Sequence, residues 1–484
     1  MRDATLTSPS RFDPAAAWEP WVPGPDDPWN LRWAGHLYRR AGFGASWPEL
    51  QAALQVGPEA AIDRLLTGGV GQSAFDRLMD ALGPGGQDPS FGFFGGQPGD
   101  EGLASWWLAR IRRSPHPLRE RMTLFWHDHF ATSIVKVQQP AAMKAQNLLL
   151  REHALGSFRP LLLEMSRDPA MLIWLDSDSN VRGKPNENYA RELMELFSLG
   201  VGQYTETEVQ EAARAFTGWQ TSRNPDGLSF TFNRSQHDDG SKTILGQTGP
   251  WDGADVVRIV LDQPAAARFL AGKLYRQFVS EAEPPPDDLI DPLADRFRST
   301  DYDIADLVET ILRSRLFFSE HAYRQRIKGP VEYVIGLLKA LEAEAPEGGS
   351  APPLSGLLDG LGQSLFTPPN VKGWPGGESW LNTATVLARQ NLAWRIVQGV
   401  GGPAGLRVDP RRLLREHAGT VKGPEAIDFL LDLLLQPAEG EIDRRARDAL
   451  TRYLDETPTG EVALDRRLRE TIHAIVLMPE YQLN

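Results

Sequence analysis

Apolar residues recur at helical spacing along almost the whole chain, and this pattern limits the fold more than any other feature. In residues 30–40 the apolar positions follow the spacing i, i+3, i+6, i+7, which places them on one face of a helix: Leu31, Ala34, Leu37 and Tyr38. Ser46 and Glu49 then form the capping box that starts the next helix. A strand pattern is confined to 228–234 and 242–246. The sequence therefore predicts an all-α, large multi-helical protein with long Gly/Pro-rich loops and one short β-hairpin near 228–246.

Glycine and proline punctuate this pattern and suggest how the chain is organised. Residues 82–100 are dense in both and predict a loop. Pro-rich breaks at 281–292 and 345–353 are the best candidate boundaries. We expect an extended N-terminal arm, a helical core unit with the candidate site and a C-terminal helical unit, over residues 1–30, 31–280 and 281–484. The last two units are alternatively a single domain.

The composition excludes several classes of protein. The 484 residues include no cysteine, so a disulfide framework, a thiol nucleophile and a cysteine-ligated metal are ruled out. A net charge of −13 argues against binding to nucleic acid or to an anionic membrane surface. No secretory signal peptide and no transmembrane stretch is visible. As written, the sequence predicts a soluble, cytoplasmic protein whose metal, if it has one, is held by oxygen and imidazole.

Acidic and amide side chains crowd the segment between residues 176 and 188. Oxygen-bearing side chains occupy positions 1, 3, 5 and 12 of a twelve-residue loop, the spacing of a calcium-binding loop: Asp176, Asp178, Asn180 and Glu187. The match is partial, because Val181 stands where the EF-hand has glycine. The alternative interpretation is an Asx-rich turn followed by a helix N-cap.

The helix predicted over residues 187–199 carries a polar stripe. Asn188, Glu192 and Glu195 project within about 60° of one another, with Glu187 and Arg191 beside them. Such a stripe ligates a hard divalent cation or supplies a general acid/base pair. The alternative is a solvated helix face with ion pairs one turn apart.

Residues 127–129 contain the one closely spaced histidine pair, His127 and His129. The apolar stripe of this helix places His129 inward and His127 outward, and Asp128 next to both rings is positioned to orient either. Both are candidate metal ligands. The alternative for His129 is a buried ring satisfied by a carbonyl or a carboxylate.

Two turns add further candidates. His237 and Asp238 lie at a predicted hairpin tip and form a ligand-capable pair, or a polar turn. The segment 368–380 carries two tryptophans among glycines and prolines, which suit stacking on a sugar or peptide, or pinning the loop to the core. Familiar catalytic signatures such as G-x-S-x-G and H-E-x-x-H are missing.

Several of these segments also mark a known family. The segments are HLYRRAGFGAS (36–46), RMTLFWHDHFATS (121–133), SRDPAMLIWLDSDSN (166–180), the stretch 185–219, QHDDGSKTILGQTG (236–249) and PPNVKGWPGGESWLN (368–382). In them the chain resembles the bacterial family named domain of unknown function 1800, from about residue 33 to residue 484.

The resemblance implies a predominantly helical fold and no catalytic residue that can be carried over. Many members resemble exported proteins, and their genes often lie beside those of another uncharacterised family, number 1501, which is similar to alkaline phosphatase and sulfatase folds. The resemblance therefore implies a protein of the 1501 type as a partner. This sequence departs from the family by lacking a recognisable export signal.

Two functional hypotheses follow from the residues. In the first, the segments 127–129, 176–195 and 236–239 converge on a divalent metal (calcium, magnesium, manganese or zinc) and support metal-assisted hydrolysis. Catalysis would then use Glu192, Glu195, Arg191 and Asp128. In the second, the protein is a non-enzymatic binding or assembly module that acts with a partner protein, and the same polar residues cap helices and brace loops.

Overall fold

The computed structural model describes residues 13–83, 87–88, 92–93, 100–225, 227–344, 355–399, 406–456 and 460–484. Within them the chain is predominantly helical, which confirms the predicted fold class. The first twelve helices are α1 (Pro14–Ala17), α2 (Leu31–Ala41), α3 (Trp47–Thr67), α4 (Gln72–Leu82), α5 (Asp100–Arg113), α6 (Pro117–His129), α7 (Ile134–Val137), α8 (Pro140–Glu152), α9 (Phe158–Arg167), α10 (Pro169–Trp174), α11 (Asn188–Glu192) and α12 (Glu206–Ala215).

The helices that follow are α13 (Gly253–Leu261), α14 (Pro264–Phe278), α15 (Asp287–Ser299), α16 (Ile304–Arg313), α17 (Pro330–Ala340), α18 (Ser355–Asp359), α19 (Thr383–Gln398), α20 (Pro410–His417), α21 (Gly423–Leu434), α22 (Arg444–Asp455), α23 (Glu461–Val476) and α24 (Pro479–Gln482). A π-helix, Leu193–Ser198, continues α11, and 3-10 turns cover Ser177–Ser179, Arg234–Gln236 and Gly377–Trp380.

The strands form antiparallel pairs: β1 (Gln87–Asp88) with β2 (Gly92–Phe93), β3 (Trp219–Asn224) with β4 (Gly227–Phe232), and β5 (Lys242–Ile244) with β6 (Gln247–Gly249). The segments 228–234 and 242–246 were predicted to pair with each other, whereas each belongs to a separate hairpin. Leu245 and Gly246 both have positive φ, which is the backbone of a tight two-residue hairpin loop that folds β5 onto β6.

One helix lies where the sequence suggested a break. Pro286 is the N-cap of α15, and Asp287 and Asp288 occupy the first turn, where their charge favours the helix dipole. The helix α15 therefore begins within the Pro-rich stretch 281–292. Most of the loop predicted over residues 82–100 lies outside the described residues.

The buried apolar side chains form two clusters. The first is built largely from α2, α3, α9 and α12–α16, and the second largely from α5, α17, α19 and α21–α23. The helix α6 contributes to both, because Met122 and Trp126 belong to the first cluster and Leu124 to the second. This helix therefore lies between the two cores, with apolar packing on opposite faces.

The segment before α2 is attached to the first cluster. The Trp18 indole N–H donates to the Leu289 carbonyl oxygen at 2.9 Å, and the Trp21 backbone N–H donates to the Arg313 carbonyl oxygen at 2.8 Å. None of the helices in the described part of the chain combines the length and the apolarity needed to cross a bilayer.

Candidate functional site

A cavity of about 700 Å³ lies beside α6. Its wall is formed by the end of α6, the middle of α14, the π-helix and the loop 371–377. The ionisable side chains on this wall are Asp128, His129, Glu195, Arg268, Lys273, Arg276, Glu281, Arg326 and Lys372. Three of the predicted site residues, Asp128, His129 and Glu195, therefore share one cavity.

His129 points into the first core, as its position on the apolar stripe predicted. Its Nε2 lies 3.1 Å from the Phe197 carbonyl oxygen and its Nδ1 lies 2.9 Å from the Lys273 Nζ. Because a carbonyl can only accept, Nε2 carries the proton and Nδ1 accepts from the amine. Burial and the neighbouring Lys273 charge hold the pKa of His129 well below its usual range, so the ring is neutral. Both ring nitrogens are therefore bonded within the protein.

His127 is buried, not directed outward as predicted. It is 1% exposed, and its ring packs against Trp107 and Phe366 in the second core. Its Nε2 accepts the Phe366 backbone N–H at 3.1 Å. The prediction assumed that α6 has a solvated face, whereas the second core covers that face.

Lys273, like Arg276, is a residue of this site that the sequence interpretation missed. Its amine reaches the cavity from α14, and burial together with Arg276 lowers its pKa to about 8, although Asp128 opposes the shift. A signal was present, because Arg268, Lys273 and Arg276 share one side of the predicted helix. It was overlooked because a lysine on an amphipathic helix is ordinarily solvated.

Asp128 holds the loop 371–377 against α6 through a hydrogen bond. Its Oδ1 accepts the Trp374 backbone N–H at 2.8 Å. Gly373 lies directly against this carboxylate with φ +80°, and a Cβ there would overlap the Asp128 side chain. Burial raises the pKa of Asp128 to about 6, despite the opposing effects of the Trp374 N–H and Lys273. Two distant sequence motifs thus meet at one carboxyl group.

The π-helix sets the direction of Glu195. Glu195 accepts the Tyr204 hydroxyl at 3.1 Å, and its other oxygen lies 3.9 Å from the Lys372 Nζ. Burial and the neighbouring Glu195 raise the pKa of Glu192. Arg191 is engaged elsewhere, by Glu187 at 2.9 Å and Glu206 at 2.6 Å. The predicted stripe assumed an unbroken α-helix, and the wider turn from Leu193 changes the relative directions of its members.

The side chains of the predicted calcium loop are bonded to protein groups. Asp176 pairs with Lys136 at 2.8 Å, and Asn188 donates to Asp176 at 3.4 Å. Asp178 accepts the Thr221 N–H and hydroxyl at 2.6 and 2.7 Å. Asn180 donates to the Ala213 carbonyl oxygen at 2.9 Å and accepts the Asn186 N–H at 2.9 Å, while Glu187 pairs with Arg191.

The turn 236–239 adjoins this loop. The Arg182 N–H donates to the Gln236 carbonyl oxygen at 2.7 Å. His237 is buried with its Nδ1 2.9 Å from the Thr217 carbonyl oxygen, and Asp238 pairs with Arg214 at 2.8 Å. The loop and the turn thus form one group around β3 and α12, whereas Asp128, His129 and Glu195 form another around the cavity.

One further group has the residue types of a metal site. Ligand atoms of Glu342, Glu416 and His417 lie within 4.8 Å of one another, and His417 Nε2 is 3.1 Å from Glu342 Oε1. The group lies just after α17 and at the end of α20, and Glu416 is exposed. None of its members was a predicted ligand.

Comparison with known proteins gives one family. The family model described as "Protein of unknown function (DUF1800)" matches residues 36–483. The comparison with curated proteins and the comparison with solved structures each give no match. The motifs that carried the resemblance include both segments that meet at Asp128.

Proposed function

Because this chain belongs to the DUF1800 family over nearly its whole length, we propose a function for it from the cavity beside α6. The cavity binds an anionic small molecule, and Lys273 and Asp128 exchange a proton with the bound molecule. The observation that carries the proposal is the placement of Lys273. Its amine lies on the cavity wall and donates to a neutral imidazole rather than to a carboxylate.

The charge of the wall supports an anionic ligand. Five basic side chains and three acidic ones face the cavity, in a chain whose net charge is −13. Arg268 pairs with Asp287 at 2.8 Å, and Arg326 pairs with Glu281 and Glu332. Lys273 and Arg276 have no ion-pair partner among the described residues. Their charges are therefore free to attract an anion into a partly enclosed space, where the attraction is stronger than in water.

The two ionisable groups suit proton transfer near neutral pH. Burial raises the pKa of Asp128 to about 6 and lowers the pKa of Lys273 to about 8. A general acid or base works best when its pKa lies near the working pH. The pKa of Asp128 is raised toward neutral pH and the pKa of Lys273 is lowered toward it, as happens to paired acid and base residues in enzymes.

The proposal does not use a metal. Both nitrogens of His129 are bonded within the protein, and a protonated Lys273 beside them repels a cation. Metal-assisted hydrolysis stays a prediction. Elemental analysis of protein purified without chelator tests it, and less than about 0.1 metal per chain, without binding on titration, would contradict it.

Calorimetric titration with phosphate and with malonate tests the proposal. We expect saturable binding to the wild type and affinity weakened by about tenfold or more in Lys273→Ala, which removes an unpaired charge from the cavity. Lys136→Ala is the matched control, because Lys136 pairs with Asp176 outside the cavity. Equal binding by the wild type and Lys273→Ala, or no binding of either anion, would contradict the proposal.

The assembly-module hypothesis makes a different prediction. It expects a companion protein, of the 1501 type implied by the family, to co-purify with the chain. It also expects substitutions in the cavity to change the melting temperature together with partner binding. Loss of anion affinity in Lys273→Ala at an unchanged melting temperature would favour the cavity proposal.

A further inference from the structure

We infer that Lys273 forms a covalent imine with the carbonyl carbon of an anionic 2-oxo acid bound in the cavity. The inference rests on the proposed function, because it assigns a substrate class and a reaction to the same site. In this reaction the Lys273 amine acts as a nucleophile as well as a proton donor and acceptor.

The geometry directs the amine toward a ligand. His129 Nε2–H is fixed by the Phe197 carbonyl oxygen, so Nδ1 always presents a lone pair to Lys273. A neutral amine that gives one N–H to this nitrogen has its own lone pair free for the cavity. His129 therefore acts as a positioning residue for the nucleophile. No carboxylate among the described residues holds the amine as an ammonium in an ion pair.

The surroundings suit a carbonyl compound with a carboxylate. Arg276 and Lys372 flank the cavity and supply positive charge for the carboxylate. A smaller chamber of about 90 Å³ shares Phe125, Asp128, Arg326 and Trp374 with the cavity, and Arg121, Glu332 and Trp380 also line it. The space beside the amine is therefore lined by cationic side chains, and the smaller chamber is lined by ion-paired side chains as well as by aromatic rings. A small ligand whose carboxylate faces Arg276 fits the space beside the amine.

Asp128 supplies the proton transfers that imine formation requires. The amine nitrogen of Lys273 attacks the carbonyl carbon, a C–N bond forms, and the carbonyl electron pair moves to oxygen. That oxygen takes the proton released by the nitrogen, which gives a carbinolamine. The Asp128 carboxylic acid then protonates the hydroxyl, water leaves, and the nitrogen lone pair completes the C=N bond. No oxidant or reductant takes part in this step.

The acid–base properties of the groups are compatible with this role. Burial lowers the pKa of Lys273 to about 8, so a useful fraction of the amine is neutral at physiological pH. Nucleophilic lysines in enzymes are activated in the same way, by burial and by a neighbouring cation. Here Arg276 is that cation.

Reductive trapping tests the inference. The wild type is incubated with pyruvate and sodium cyanoborohydride, and labelled sites are mapped by mass spectrometry across its nine lysines. We expect one reduced pyruvate adduct per chain, at Lys273. Acetone has the same ketone without the carboxylate, and we expect it to label Lys273 at least about tenfold more slowly if the cationic wall binds the acid. Lys273→Arg and Lys136→Arg are the paired variants, because Lys136 pairs with Asp176 outside the cavity.

The outcomes separate this inference from the proposed function. Labelling of Lys273 that phosphate suppresses and that Lys136→Arg retains supports it. Phosphate or malonate binding without an adduct at Lys273 overturns the imine and leaves the anion site intact. An adduct spread evenly over surface lysines also overturns it. Failure of both anion binding and labelling contradicts the proposed function itself. The position of the adduct and its suppression by phosphate are measured on the wild type, so misfolding of a variant does not affect these outcomes.

Discussion

Gly373 shows how closely the loop 371–377 packs against α6. We expect Gly373→Ala to lower the free energy of unfolding by about 1–3 kcal/mol, because its φ of +80° is strained for alanine and the new Cβ overlaps Asp128. Gly376→Ala is the control, since Gly376 also has positive φ but a Cβ added there would meet no heavy atom within 4 Å. Denaturant unfolding measures both. Equal losses would show that backbone strain alone accounts for the effect.

Asp128 makes stability depend on pH. Its pKa is about 6 in the folded chain against 3.8 for an ordinary Asp, so between these values the folded state holds a proton that the unfolded state has released. The contribution of Asp128 to wild-type stability therefore falls as the pH rises through this interval. In the variant Asp128→Asn, the amide keeps an oxygen that accepts the Trp374 N–H, but the side chain does not titrate.

We expect the stability of Asp128→Asn, measured relative to the wild type, to rise from pH 4 to pH 6 and then to level off. Unfolding by denaturant at a series of pH values measures this difference. Asp239→Asn, at an exposed acid, is the control. A difference that is constant across the interval, or that falls, would contradict the assignment.

Sequence reasoning identified some residues of the site but not its nucleophile. The inward direction of His129 follows from a local apolar stripe, which a single sequence shows. The bond between Lys273 and His129 joins residues 144 positions apart, and no local pattern encodes such a pairing. The predicted direction of His127 was wrong for a related reason, because the sequence of α6 alone does not show that a second core covers its outer face.

At the scale of elements, the π-helix is tied to α6 through His129. The Phe197 carbonyl lies at the end of Leu193–Ser198, where helical carbonyls lack an intrahelical partner, and His129 supplies the donor. We expect His129→Leu to lower the free energy of unfolding by about 1–3 kcal/mol, since it leaves this carbonyl unsatisfied. It should also weaken anion binding, because Lys273 loses its acceptor.

Ser198→Ala is the matched control for that prediction. The Ser198 hydroxyl donates to the Leu193 carbonyl oxygen within the same element and does not reach α6. We expect a stability loss without a change in anion affinity, measured by denaturant unfolding and calorimetry. If both variants bind anions as the wild type does, His129 does not position Lys273.

Helices were easier to predict than their connections. The predicted spans 264–277 and 383–399 differ by one residue at one end from α14 and α19, because apolar spacing and caps are local signals. The pairing of β4 with β3, and of β5 with β6, depends on which tight turns form. The residues of a strand do not by themselves show which other strand it pairs with. The Asp-Gly pair at 239–240 suggested a hairpin tip, but Asp238 instead accepts the Gly240 N–H in a side-chain turn.

At the scale of the whole molecule, buried ion pairs connect the two cores beneath the cavity. Glu332 of α17 pairs with Arg121 of α6 and with Arg326 at 3.3 Å, and Arg326 also pairs with Glu281. The neighbouring arginines hold the pKa of Glu332 at about 2, although burial opposes this shift. Its stabilising effect is therefore present above pH 4.5 and is lost as the pH falls toward 2.

We expect Glu332→Gln to lower the free energy of unfolding at neutral pH by about 3–5 kcal/mol, because it leaves a buried guanidinium without its carboxylate. Glu320→Gln is the control, since Glu320 pairs with Arg32 at the surface and such pairs contribute less than about 1 kcal/mol. Denaturant unfolding at pH 7 measures both. Similar losses in the two variants would show that the buried network is not what joins the cores.

The position of α6 between the two cores has a consequence for how the protein tolerates change. Residues 121–129 must fit one core with Met122 and Trp126, the other with Leu124 and His127, and the cavity with Asp128 and His129. A substitution that packs well against one core lies within about one helical turn of residues that contact the other core or the cavity. Saturation mutagenesis should therefore find this short stretch far less permissive than α22, where Leu454 is the one residue buried.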